Sequence, residues 1–194
     1  MKTKMNFRQV LSQVLNLLLV LSSAYMGYKA LSFMTDCESP VVVVLSESME
    51  PSFRRGDLLF LDNRKPSIEK KLEGSEPSLW EKIWHGSPLG IGDIVVYSLP
   101  HRPIPIVHRV VKLYESENET KFITKGDNNR IDDVGLFPRP MTYLDREKHV
   151  IGVVRGYFPY LGMITIWLTD YPILKYVLLG ALGLLTLFQK EESS

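Results

Sequence analysis

The sequence predicts a mostly β protein: a barrel-like antiparallel β domain, preceded by an N-terminal transmembrane helix and followed by a short C-terminal apolar helix. Three observations carry this reading. Short runs rich in Val, Ile, Leu and Phe recur through the middle of the chain, divided by Gly, Pro, Asn and Asp. A long apolar stretch without proline covers residues 10–34. A shorter one covers residues 173–188.

At the N-terminus, Lys2, Lys4 and Arg8 precede an apolar stretch centred on residues 15–21. About 20 residues of helix cross a bilayer core of about 30 Å, so the stretch suffices for one span. Basic residues ahead of it favour a cytoplasmic N-terminus, and Lys29 can snorkel to the far interface. Two other readings compete: a cleaved secretory signal, with Ser22-Ser23-Ala24 as the cleavage site, and a buried amphipathic helix. The apolar character continues through Tyr25, Met26 and Leu31, which favours an uncleaved anchor.

Residues 41–45 are four valines and a leucine, a buried strand by β-branched preference. The run breaks into Ser46-Glu47-Ser48-Met49-Glu50-Pro51, and Pro51 cannot continue a ladder. Five further strands follow. Residues 57–61 come after the turn Arg54-Arg55-Gly56, and 93–97 after Gly90-Ile91-Gly92. Residues 105–113 form a longer strand that pairs with 121–124 as a hairpin, and 149–155 supply the last. The hairpin tip carries Asn118-Glu119-Thr120, an N-glycosylation sequon usable in a lumenal compartment.

Residues 63–89 differ in composition. They are charged and carry Ser, Pro and Gly, and they read as a solvated insertion between two strands. Trp80 and Trp84 fall one helical turn apart, so a small amphipathic helix resting on a partner or a membrane is the alternative. Residues 173–188 would rise only about 24 Å as a helix, short of a normal bilayer core. A core helix is one reading. The all-round apolarity and the small Gly180 and Gly183 favour partial insertion or a membrane-embedded partner.

The 194 residues hold one compact domain beside a membrane segment. A net charge of +1 gives no electrostatic case for nucleic acid. Cys37 is the single cysteine, so neither an intrachain disulfide nor a cysteine-based zinc cluster is available. His85, His101, His108 and His149 show no metal-ligand spacing.

Ser48 sits where a rigid strand gives way to an irregular turn, a place where a hydroxyl can be held from behind and still face a cleft. A surface turn is the simpler reading. Serine needs a base, and histidine titrates in the useful range. His108 lies within a strand, where structural histidines are common. A histidine base wants a carboxylate on its other nitrogen. The polar stretch after residue 124 offers Asp127, Asp132 and Asp133, which composition alone does not rank.

Four boxes in order resemble signal peptidase I proteins: Ser46-Glu47-Ser48-Met49-Glu50-Pro51, Gly92-Asp93-Ile94-Val95, Val107-His108-Arg109-Val110 and Thr124-Lys125-Gly126-Asp127-Asn128-Asn129, the last continuing to Asp132-Asp133. The bacterial branch uses a lysine base where this chain has His108. The pattern is therefore similar to the eukaryotic or archaeal type, and the sequon at Asn118 favours the eukaryotic, endoplasmic-reticulum one.

The resemblance implies a serine endopeptidase that removes signal peptides by cutting after a small residue, with no cofactor and no metal. It implies Ser48 as nucleophile, His108 as base and Asp133 as its orienting acid. Asp132 is the runner-up, Asp127 shapes the site, and Ser46 with the Ser48 N–H serves the oxyanion. Expected partners are signal peptides of pre-proteins, other subunits of a signal peptidase complex, and the lipid bilayer.

The implied layout is a cytoplasmic segment (1–13), a signal-anchor helix (14–34), a lumenal protease domain (35–172) with its polar insertion (63–89), a membrane-associated helix (173–188) and a tail (189–194). The protein would be single-pass type II in the endoplasmic reticulum membrane, with Asn118 open to glycosylation. The alternative is a non-catalytic, membrane-anchored β subunit that positions a partner.

Overall fold

The computed structural model of the chain describes residues 7–64, 88–116 and 119–188. Most of the polar insertion, with Trp80 and Trp84, lies outside the described residues, as does Asn118. The first described element is helix α1 (Phe7–Met34). Among the described residues one helical segment, Leu11–Met34, is long and apolar enough to cross a membrane, and none of it is buried against the rest of the chain. Its end is tied to the β domain. Ser32 Oγ donates to Cys37 O at 2.6 Å, and Asn63 N–H donates to Thr35 O at 2.9 Å.

Among the described residues seven strands follow: β1 (Val41–Val43), β2 (Leu58–Asp62), β3 (Ile94–Tyr97), β4 (Ile106–Glu115), β5 (Thr120–Lys125), β6 (Leu144–Asp145) and β7 (Val150–Phe158). They form one sheet in the order β1-β2-β7-β3-β4-β5-β6, with every neighbouring pair antiparallel. Among the described residues β1 and β6 are its edges, so the barrel-like sheet is an open, curled half-barrel. Between β6 and β7 lies the short helix α2 (Arg146–His149). Helices α3 (Met163–Asp170) and α4 (Pro172–Phe188) end the described chain.

Strand alternation divides the apolar residues between two clusters, one on each side of the sheet. Val95, Tyr97, Val110, Phe122, Leu144 and Val153 belong to one, and Val44, Met49, Phe53, Leu59, Leu61 and Val96 to the other.

Several elements depart from the sequence reading. The valine run is an edge strand, not a fully buried one. Val41, Val42 and Val43 are half-buried, Val44 is buried and Leu45 is exposed, because β1 has a neighbour on one side only. The short β6 and α2 are too brief for any periodicity to register. Helix α3 carries Ile164, Thr165 and Ile166, three β-branched residues in a row that argue against helix locally. Its formation rests on docking: Ile166 is buried, and Gly162 N–H donates to Gly56 O at 2.8 Å. Gly56 has φ +95, and Met163 closes over it, leaving no room for a Cβ.

Candidate active site

The site forms where the loop after β1 meets the face of β3, β4 and β5. Met49 and Phe53 are buried at 1% and 7% exposure and anchor that loop in the core. The backbone reverses between them, with Phe53 N–H donating to Met49 O at 3.0 Å. Ser48, beside the anchored Met49, is half-buried with its hydroxyl turned to β4. Asn128 braces the loop from behind: its N–H donates to Ser48 O at 2.9 Å and its Nδ2 to Glu47 O at 3.2 Å.

His108 lies on β4 opposite Val95 of β3 and is 4% exposed. Its Nε2 is 3.0 Å from Ser48 Oγ, and its Nδ1 is 2.5 Å from Asp133 Oδ2. Asp133 opens a single 3₁₀ turn, Asp133–Leu136, and is 1% exposed. The three side chains thus form one hydrogen-bonded line from a half-open hydroxyl to a buried carboxylate. With a neutral imidazole and an ionised carboxylate, Nδ1 carries the proton and Nε2 is the acceptor that faces Ser48.

The two other acids are placed differently. Asp132 is the N-cap residue of the 3₁₀ turn, and the His108 bond goes past it to Asp133. Asp127 turns to Arg109, which donates through Nε at 2.8 Å to Oδ1 and through Nη2 at 2.6 Å to Oδ2. Ser52 Oγ also donates to Asp127 Oδ2, at 2.6 Å. The Arg109 bonds hold the Asp127 carboxyl below its ordinary range. Ser46 Oγ lies 3.2 Å from Ser48 Oγ, at the exposed mouth of the site.

Four residues near this line were not singled out by the sequence reading. Thr124 Oγ1 and Tyr97 OH both donate to Asp133 Oδ2, at 2.6 Å and 3.1 Å. Burial pushes the Tyr97 phenol far above its ordinary pKa, so it stays protonated and donating. Arg109 is the third. Gly126 is the fourth: a Cβ there would stand 2.7 Å from Ser48 O and 2.9 Å from His108 Nε2. Thr124, Gly126 and Arg109 lie inside the quoted boxes. Tyr97 lies outside them, and only the strand register brings it to the site.

Known proteins match this chain nearly end to end. It is 79% identical to the signal peptidase complex catalytic subunit sec11 of Schizosaccharomyces pombe, covering 97% of this chain and 98% of that protein. It is 49% identical to the subunit SEC11 of Tuber melanosporum over 95% of this chain and 92% of that one. It is 46% identical to SEC11C of Homo sapiens over 97% of this chain and 88% of that one. Residues 163–188, which include α3 and α4, also match the family model of the signal peptidase C-terminal short helix. A likeness of this degree over this length includes α1, the half-barrel and the end helices together, and so the chain belongs to the family of signal peptidase complex catalytic subunits.

Proposed function

We propose that the protein is a serine endopeptidase of the Ser-His-Asp type that removes signal peptides from nascent secretory and membrane proteins. The observation that carries this reading is the hydrogen-bonded line Ser48–His108–Asp133 in a member of this family. Ser48 Oγ attacks the scissile carbonyl as its proton passes to His108 Nε2. Asp133 steadies the imidazolium through Nδ1. The proton then goes to the leaving amine, which departs with the mature chain. Water, activated by the same imidazole, releases the signal peptide from Ser48. The Ser48 N–H and the Ser46 hydroxyl are the donors for the oxyanion. Shallow pockets that admit only small side chains before the cut set the specificity.

The same reading places α1 as a signal anchor in the endoplasmic reticulum membrane, single-pass and type II, with the half-barrel in the lumen. Other subunits of the complex and the bilayer are its partners.

The test is cleavage of a pre-protein by the assembled complex. Ser48→Ala, His108→Ala and Asp133→Asn should each nearly abolish it while assembly persists. The double variant Ser48→Ala/His108→Ala should be little worse than either single one, because such groups act as a unit. Near-normal turnover by Ser48→Ala would overturn the assignment.

A further inference from the structure

Three donors converge on one oxygen at the buried end of the site. His108 Nδ1, Thr124 Oγ1 and Tyr97 OH lie 2.5, 2.6 and 3.1 Å from Asp133 Oδ2. We propose that Thr124 and Tyr97 are positioning residues for the reaction, their hydroxyls fixing the Asp133 carboxylate as an oriented acceptor for His108. The proposal rests on the Ser-His-Asp reading above.

The sheet explains how the three donors meet. Val95 pairs with His108, Tyr97 with Ile106, and Val110 with Thr124. Directly paired residues share a face, as do residues two apart on a strand. Tyr97, His108 and Thr124 therefore leave three adjacent strands on one side. Asp133 arrives from outside the sheet on a single 3₁₀ turn, the least regular support in the site. Its carboxylate is held against strand-borne groups rather than by its own element.

The chemistry of the two hydroxyls suits the task. Tyr97 and Thr124 are both 0% exposed, and Asp133 is 1% exposed, so bulk water does not solvate this end. Among the described residues, no arginine or lysine forms a salt bridge with the buried Asp133 carboxylate. An unsatisfied anion there would be costly. An arginine or lysine would satisfy it, but would repel the imidazolium as the reaction forms it. Neutral hydroxyls supply hydrogen bonds without that charge. They also keep Oδ2 aimed at Nδ1, which holds Nε2 as the nitrogen free to take the Ser48 proton. Thr124, the nearer donor, contributes more than Tyr97.

The experiment uses the assembled complex and a pre-protein substrate. Thr124→Val removes the hydroxyl and keeps the shape. Thr124→Ser keeps the hydroxyl and loses a methyl. A hydrogen bond to a charged group corresponds to about ten- to a hundredfold in rate, so Thr124→Val should lower kcat by that factor. KM should change less than about twofold, since the group acts on the reaction and not on binding. Thr124→Ser should recover most of the rate. Tyr97→Phe should lower kcat by about three- to tenfold, reflecting its longer bond. Placed on Asp133→Asn, Thr124→Val should add less than about twofold to the residual rate, because it acts through that carboxylate.

Full kcat in Thr124→Val would overturn the proposal for Thr124. So would a Thr124→Ser as slow as Thr124→Val, since that pattern marks a packing role. Should Thr124→Val fail to assemble, Tyr97→Phe decides alone: unchanged kcat overturns the pair. These outcomes are distinct from failure of the catalytic reading itself, which would appear as activity surviving Ser48→Ala or His108→Ala.

Discussion

Arg109, next to His108 on β4, grips Asp127 with two hydrogen bonds, at 2.8 Å and 2.6 Å. The same guanidinium donates from Nη2 to Ser52 Oγ at 3.0 Å and from Nη1 to Gly92 O at 2.9 Å. Four segments meet there: β4, the turn before β3, the loop that carries Ser48, and the loop after β5. The arrangement clamps the loop that carries Ser48 to the strand that carries His108.

The clamp predicts coupling and a pH signature. Arg109→Ala and Asp127→Ala should each lower activity and thermal stability, with a coupling between them of about 1 kcal/mol, since the pair is partly exposed. Because Asp127 is held below its ordinary pKa, its contribution is complete above about pH 4 and is lost as the pH falls through the lower folded value. Thermal melts across the acid range should show a shallower decline for Asp127→Asn than for the wild type. Equal slopes would remove Asp127 from the acid response.

Gly126 is fixed by space. A Cβ at this position meets the Ser48 carbonyl at 2.7 Å, the Asn129 Nδ2 at 2.7 Å and His108 Nε2 at 2.9 Å. The first of these is backbone and cannot rotate away, so Gly126→Ala must push Ser48 and His108 apart. A displacement of about 1 Å costs on the order of a hundredfold in rate. Gly126→Ala should therefore lose about that much activity while its far-ultraviolet spectrum and assembly remain normal. Retained turnover would mean that the loop relaxes without moving Ser48.

The β strands were legible because Val, Ile and Leu clusters between turn residues are a local signal, and six of the seven fell within a few residues of their positions. β6 escaped because two residues carry no pattern. α3 escaped because its Ile-Thr-Ile run favours strand locally and tertiary docking overrides that preference. Within the site, Ser48 and His108 stood out through their motifs. Composition did not rank Asp127, Asp132 and Asp133; the family resemblance pointed to Asp133, and the structure turns that carboxylate to His108. Successive residues of a 3₁₀ turn point about 120° apart, so neighbouring acids reach different partners. Tyr97 was invisible for a different reason: its role depends on which strands lie side by side, and β3, β4 and β5 do so only after folding.

Orientation across the membrane can be read chemically. The hairpin tip is closed by Ser116 N–H donating to Glu119 O at 2.9 Å, next to the sequon residue Asn118. A lumenal half-barrel exposes this tip to glycosylation, and endoglycosidase treatment of membrane-derived protein should lower its apparent mass. A sequon engineered near residue 5 should stay unmodified. Modification near residue 5, with none on engineered sites in the half-barrel, would reverse the orientation.

The last prediction concerns α4. It spans 17 residues, about 25 Å of helix, which is less than a bilayer core of about 30 Å. Its residues 173–182 are exposed throughout, and a Cβ on Gly180 would meet nothing within 4 Å. The helix follows the half-barrel through α3, itself joined to the loop after β1 by Gly162 and Gly56. An undersized apolar helix thins the lipid around it at a modest cost per Å. The apolar core of a signal peptide is shorter than a transmembrane span, so local thinning near the site would favour the shorter segment. Leu182→Arg should therefore weaken membrane association of α4 and lower cleavage more than it lowers stability. Extending α4 by about five leucines should relax discrimination against long apolar segments or reduce activity. The measurement is cleavage by the assembled complex of matched substrates that differ only in apolar length. If truncation after Pro172 leaves both the rate and the length preference unchanged, α4 is an anchor or a subunit contact and takes no part in measuring the substrate.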